Sequence, residues 1–384
     1  MTMTAPGNPT PETPPTPSRS AARLKALAAV VAAFLGLVLV ARCGAGIEDL
    51  NPELASDATP TATATTEPSP SPTAEPTTSP STPAATATPT SEPAAESPEQ
   101  ALAIVTQVVS AQAASALVPD AAGDAARAQV YAGSALTAAN ASAKLRTTLS
   151  ADALADLPLK LDAAPVLAIS RGTAYPRTIL VRALKAKTGA PVYLTLMALD
   201  ASGYRIHNQA TMLPGNFSGQ FDALAKGSPV VTDGSGLAIA PDALMAAYAA
   251  WLAFPRTATA PPATLANDAF AESLLKGAQG ESAALKDVAK LTQAHAPVGA
   301  QVAIRLAEGK GALVTTVIER VDTYTETTAN ALTPPKEYTI LTGKTVIDKK
   351  ATLKSLQFVV FFVPPSGPAQ AIAASDQLVD ASGS

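Results

Sequence analysis

Few side chains in this sequence stand in a pattern that performs chemistry. The two histidines, His207 and His295, have no acidic or cysteine neighbours at metal-site spacing. His207 falls in a strand-like run beside Arg205 and Asn208, which predicts a surface or edge position, and His295 is placed at a helix end, where a cation suits the dipole. Ser273-Leu274-Leu275-Lys276 has the spacing of a serine activated by a lysine, but the Ser-Asp-Asn and Lys-Thr-Gly companions of that machinery are missing. Gly343-Lys344-Thr345 matches the end of a phosphate-binding loop, yet Tyr338 stands where the first glycine belongs and the run reads as strand. Gly215-Asn216-Phe217-Ser218-Gly219 fails the spacing of a nucleophile elbow. Asp152 and Asp156 share a helical face at i and i+4, as an acid/base pair would, but solvated faces carry such pairs routinely. Tyr248, Trp251 and Phe254 form a helical aromatic stripe of the kind that builds cores. The expectation is that no residue is catalytic, binds a cofactor or ligates a metal.

The elements that would position such residues begin near Pro98. Leu102, Val105, Val108 and Val109 recur at helical spacing after Ser97-Pro98-Glu99, and Val118-Pro119 ends the run. A second helix is predicted over Ala125 to Leu136. Strands follow at Pro165 to Ser170, Thr178 to Ala186, Val192 to Asp200 and Tyr204 to Met212, parted by Thr188-Gly189 and Ala201-Ser202-Gly203. The order then repeats. Helices are predicted over Pro241 to Phe254, Asp268 to Lys276 and Ser282 to Gln293, with strands at Val298 to Leu306, Ala312 to Tyr324, Tyr338 to Lys350, Ser355 to Val363 and Ala369 to Leu378. Residues 98–240 and 241–384 are nearly equal in length and share this order, so tandem copies of one α+β unit are the economical expectation.

Ahead of them lie three segments without a core. Residues 1–22 are rich in Pro and Thr and read as a disordered cytoplasmic tail. An unbroken apolar run from Ala26 to Ala41, within an anchor over residues 23–43, covers about 24 Å as a helix, and Lys25 and Arg42 can snorkel to the two interfaces. Arg19, Arg23 and Lys25 on the N-terminal side, against Arg42 on the other, put the N-terminus inside the cell and the rest outside. A cleaved signal peptide is the alternative, with Cys43-Gly44-Ala45 offering small residues, and lipidation of Cys43 is a third, against which Arg42 stands. Within an extracellular stalk over residues 44–97, Asn51 to Ser97 are nearly all Pro, Thr, Ala, Ser and Glu, as in Pro68-Ser69-Pro70-Ser71-Pro72, which favours an extended chain reaching at most about 140 Å. Such a stalk is either O-glycosylated or a bare spacer. Cys43 is the only cysteine, so no intramolecular disulfide is available. The net charge of -4 and the lack of a basic face argue against nucleic acid as a partner.

Tyr131-Ala132-Gly133-Ser134-Ala135-Leu136, Tyr175-Pro176-Arg177, Met212-Leu213-Pro214-Gly215 and Leu237-Ala238-Ile239-Ala240-Pro241 leading to Ala246-Ala247-Tyr248 carry a resemblance. Over about residues 98 to 380 the chain resembles an uncharacterised family of secreted or membrane-attached actinobacterial proteins. The resemblance implies a pair of cone-shaped α+β units similar to the nuclear-transport-factor-2-like fold, and no activity. The expected function is that of a non-catalytic envelope protein, held in the membrane by its N-terminal helix, whose outer units bind an envelope protein or wall component. A small-ligand binder or enzyme using a cone pocket, and a structural envelope protein, are the alternatives.

Overall fold

The computed structural model describes residues 92–384, apart from 117, 119, 216 and 329–331. The expected tail, anchor and nearly all of the stalk lie outside the described residues; within them, no helix is long and apolar enough to cross a membrane. Pro93 to Glu96 already belong to the folded unit. Ala94 bridges Arg171, the Ala95 amide donates to the Ser170 carbonyl at 2.8 Å, and Glu96 pairs with Arg177 at 3.2 Å.

Helix α1 spans Pro98–Ala116. A reciprocal cap starts it: the Gln100 amide donates to Ser97 Oγ at 3.2 Å, while the Ser97 amide donates to Gln100 Oε1 at 2.9 Å. Ala101, Val105, Val108 and Val109 form its buried stripe, and buried Gln112 clamps it to the sheet by donating to the Leu157 carbonyl and accepting from the Leu159 amide. The single helix expected over 125–136 is two, α2 at Asp120–Val130 and α3 at Gly133–Leu145. Between them Tyr131 leaves helical geometry to bridge Ile206, and the Ala132 amide donates to the Ile206 carbonyl at 3.0 Å. A short helix, α4 at Ala151–Ala155, precedes the strands β1 (Leu159–Ile169), β2 (Arg177–Lys185), β3 (Pro191–Ala198) and β4 (Arg205–Met212).

The second run of elements is α5 (Pro241–Leu252), α6 (Ala269–Leu285), β5 (Ala289–Arg305), β6 (Ala312–Glu326), α7 (Lys336–Thr342), β7 (Lys350–Val363) and β8 (Gln370–Gly383). Three expectations fail here, the first being that Asp268 to Lys276 and Ser282 to Gln293, expected as two helices, meet in the single helix α6. Residues 289–293, placed in a helix, open strand β5, whose register with β6 begins at Ala289 opposite Glu326. Tyr338 to Thr342, placed in a strand, form α7: Pro335 sits at its N-cap and Gly343 at its C-cap, and Tyr338 is buried.

All eight strands form one antiparallel sheet in the order β1-β2-β3-β4-β8-β7-β6-β5. The fold is therefore α+β with a large antiparallel sheet, in which two four-stranded meanders meet at their last strands. The seam is short, with Thr211 opposite Ala374 and Met212 opposite Ala373. One core unites them, because Val105, Leu180, Leu194 and Ile206 from the first run pack in the same cluster as Leu313, Phe358, Val360 and Ile372 from the second. Seven of the eight residues of β3 are buried, as a strand covered on both faces requires. A second cluster lies where α5 and α6 cover the sheet, through Leu244, Trp251, Phe270, Ile318 and Phe361.

The β5–β6 turn is tight against β7. Gly311 has φ +111°, and a Cβ there would fall on the Val363 carbonyl oxygen. Replacing Gly311 with alanine is expected to lower the unfolding free energy by about 2 kcal/mol or more, measured by urea titration. A loss within experimental error would show that the turn relaxes freely.

Candidate functional site

The densest collection of polar side chains lies inside, between α6 and the strands β5 to β8. Register builds it: His295 stands opposite Arg320, Arg320 opposite Ser355, and Gln357 opposite Asp376. Arg320 is 2% exposed. Its Nε lies 3.1 Å from Asp322 Oδ2, its Nη1 lies 2.8 Å from Asp376 Oδ2, and its Nη2 donates to Ser355 Oγ at 3.2 Å. Tyr324 donates to Glu281 Oε1 at 2.8 Å from the covering helix.

Burial sets the electrostatics here. It pushes the Glu281 carboxyl up to about 8, against the hydrogen bond from Tyr324, so this group holds its proton at neutral pH. It lifts Asp322 to about 6 even though Arg320 pulls the other way, and it raises Asp376 as well. The Arg320 guanidinium loses from burial but ends above its ordinary value, because Asp322 and Asp376 more than offset that loss. His295 falls to about 3, first through burial and then through Arg320 and Arg256, so it is neutral. Among the described residues, both ring nitrogens of His295, both amide atoms of Gln357 and Oε2 of Glu281 have no hydrogen-bond partner. In a protein interior such groups are met by water. The cluster can hold protons and fix strand register, but its charges face one another, not a substrate.

The sequence-level candidates are scattered. His295 is in the middle of β5, not at a helix end, and His207 is half-buried in β4, lowered by burial and then by Arg205, at the point where the β3–β4 register slips. Ser273 and Lys276 lie in α6. Gly343-Lys344-Thr345 begins at the end of α7, which corrects the strand reading without producing a strand-to-helix turn. Asp156 caps a turn by accepting from the Lys187 and Thr188 amides at 3.0 and 2.9 Å, while Asp152 pairs with the Lys187 ammonium. Tyr248 and Trp251 are buried, with the Tyr248 hydroxyl donating to Asp268 at 3.0 Å, while Phe254 bridges Gln293 of β5 and packs on a separate apolar cluster with Leu285 and Leu291. No group of three or more His, Cys, Asp or Glu side chains among the described residues is arranged to hold a metal ion.

One open cleft, of about 330 Å³, lies beside the seam. The Leu213 amide still donates to the Ile372 carbonyl at 2.9 Å, but Pro214 has no amide hydrogen to continue the ladder, and the chain leaves β8. It returns with Phe217 packed on Phe362 of β7, ring centroids 5.5 Å apart. The β5–β6 turn closes the other wall, tied on by the Ala307 amide donating to the Gln220 carbonyl at 2.8 Å. Leu213, Phe217, Leu306, Phe362 and Ile372 give the lining its apolar character, and Lys310 contributes an ammonium. Met212-Leu213-Pro214-Gly215 was visible in sequence as the end of a strand; what stands opposite it was not. No family model, curated protein or solved structure matches the chain.

Proposed function

We propose that this chain is a non-catalytic envelope protein: an N-terminal membrane anchor over residues 23–43, a stalk that runs from residue 44 to the folded unit beginning at Pro93, and an outer module that binds a partner or wall component. The observation that carries the binding role is the cleft beside the β4–β8 seam, an apolar concavity of about 330 Å³ on a rigid sheet. Residues 98–240 and 241–384 are read as two cone-shaped units of nuclear-transport-factor-2-like kind. The strand order supports this, since helices precede each set of four antiparallel strands, with α7 inserted between β6 and β7 of the second, and the two sets meet through their last strands.

A photo-crosslinking amino acid at the exposed Ser218, in the full chain on intact cells, should yield an adduct of defined mass. The same group at the exposed Leu199, which does not line the cleft, should not. Equal labelling at both positions, or none at either, would refute the reading.

A further inference from the structure

From the lining of the cleft, and resting on the binding role just proposed, we infer that its ligand is a small apolar monoanion, an aromatic or similarly compact hydrocarbon body carrying one carboxylate-like group. Size sets the first limit. A volume of about 330 Å³ equals that of roughly eleven waters of bulk liquid, which admits a body of roughly a dozen non-hydrogen atoms, so only one such group of a partner or wall component enters it. The walls set the second. Phe217 and Phe362 meet at an interplanar angle of 53°, and Leu213, Leu306 and Ile372 complete an apolar seat for a flat or compact hydrocarbon.

Charge sets the third limit. Lys310 is the one charged side chain among the thirteen described residues that line the cleft. Its ammonium pairs with Glu308 at 2.7 Å, but the two side chains are 69% and 75% exposed, so water weakens the pair and an incoming anion can take the place of Glu308. The chain as a whole is acidic, so a cation at this spot selects against the protein's own net charge. The seat also depends on a small residue. A Cβ at Gly219 would overlap the Phe217 ring and reach Leu306 Cδ1 at 3.0 Å, so glycine lets that ring lie flush against the wall.

The test uses the full chain in lipid nanodiscs, titrated by calorimetry with 2-naphthoate, the neutral 2-naphthylmethanol and the cationic 2-naphthylmethylamine, with empty discs subtracted. Naphthoate should bind tightest. Lys310→Ala should weaken naphthoate about three- to fivefold and leave the alcohol unchanged, while Glu308→Gln should strengthen naphthoate about twofold. Gly219→Val should weaken both naphthoate and the alcohol more than tenfold, because the displaced Phe217 ring fills the seat. The two surface variants do not touch the core, so they keep the test decisive if Gly219→Val folds poorly. Equal binding of all three probes, indifference to Lys310→Ala, or no binding at all overturns the inference. If naphthoate fails while Ser218 still crosslinks to a defined partner, the inference falls and the binding role stands; if both fail, both fall.

Discussion

Replacing Arg320 with leucine is expected to cost about 3–5 kcal/mol of stability at neutral pH, the largest loss anticipated for any single substitution in this protein. Asp322 and Asp376, both enclosed, would be left without the cation that faces them at 3.1 and 2.8 Å. The loss should shrink in acid, where both carboxyls take up protons and no charge remains to be compensated. Removing the whole triad, with Arg320→Met, Asp322→Leu and Asp376→Leu together, should return stability to within a few kcal/mol of the parent or exceed it, since neither the desolvation cost nor the ion-pair gain remains. Urea titrations of the two variants at pH 7 and pH 4 check this. A single variant losing under about 1 kcal/mol would mean that the triad is hydrated in solution.

The second large effect is a pH dependence written by Glu281. Its carboxyl titrates at about 8 when folded against an ordinary 4.5, so the folded chain keeps a proton that the unfolded chain releases between those values. That contribution is fully present below 4.5 and is lost as pH rises through 8. Asp322 acts in the same sense but at lower pH, between 3.8 and about 6. His295 acts in the opposite sense, because its folded value of about 3 lies below the ordinary 6.5, and stability from this group grows as pH rises from 3 to 6.5. The opposing slopes meet below 6.5. From 6.5 to 8 Glu281 dominates, and the parent should lose on the order of 2 kcal/mol there. Glu281→Gln keeps an oxygen for the Tyr324 hydroxyl and removes the titration, so its stability should be flat across that interval. Persistence of the slope in the variant would assign it to another group.

Much of the first meander was legible because its residues satisfy two rules at once. Val192 to Ala198 is rich in strand formers, Arg205 to Met212 alternates buried Ile206, Asn208 and Ala210 with more exposed neighbours, and Gly189 and Gly203 punctuate them. The misreadings came where those rules conflicted. Tyr338-Thr339-Ile340 favours a strand by composition, but Pro334 and Pro335 before it and Gly343 after it enclose only one or two helical turns, and burying Tyr338 decides the matter. In β5 the alternation was hidden because the inward positions hold Gln293 and His295, not apolar residues. The same substitution of polar for apolar residues concealed the buried cluster. Its members come from α6 and four strands, and only the register of β5 through β8 brings them together. The cleft was illegible for a related reason: Phe217, Lys310 and Phe362 belong to three segments with no common motif.

The shared core has a consequence for how this molecule fails. The seam contributes two backbone pairs, whereas the cluster around Leu180, Leu194, Phe358 and Val360 draws on both runs of strands. Neither half can shed the other without wetting its own interior, so a proteolytic nick or a damaging substitution on one side is felt on the other. Units strung like beads can melt one at a time; here the two halves would stand or collapse as a single cooperative body.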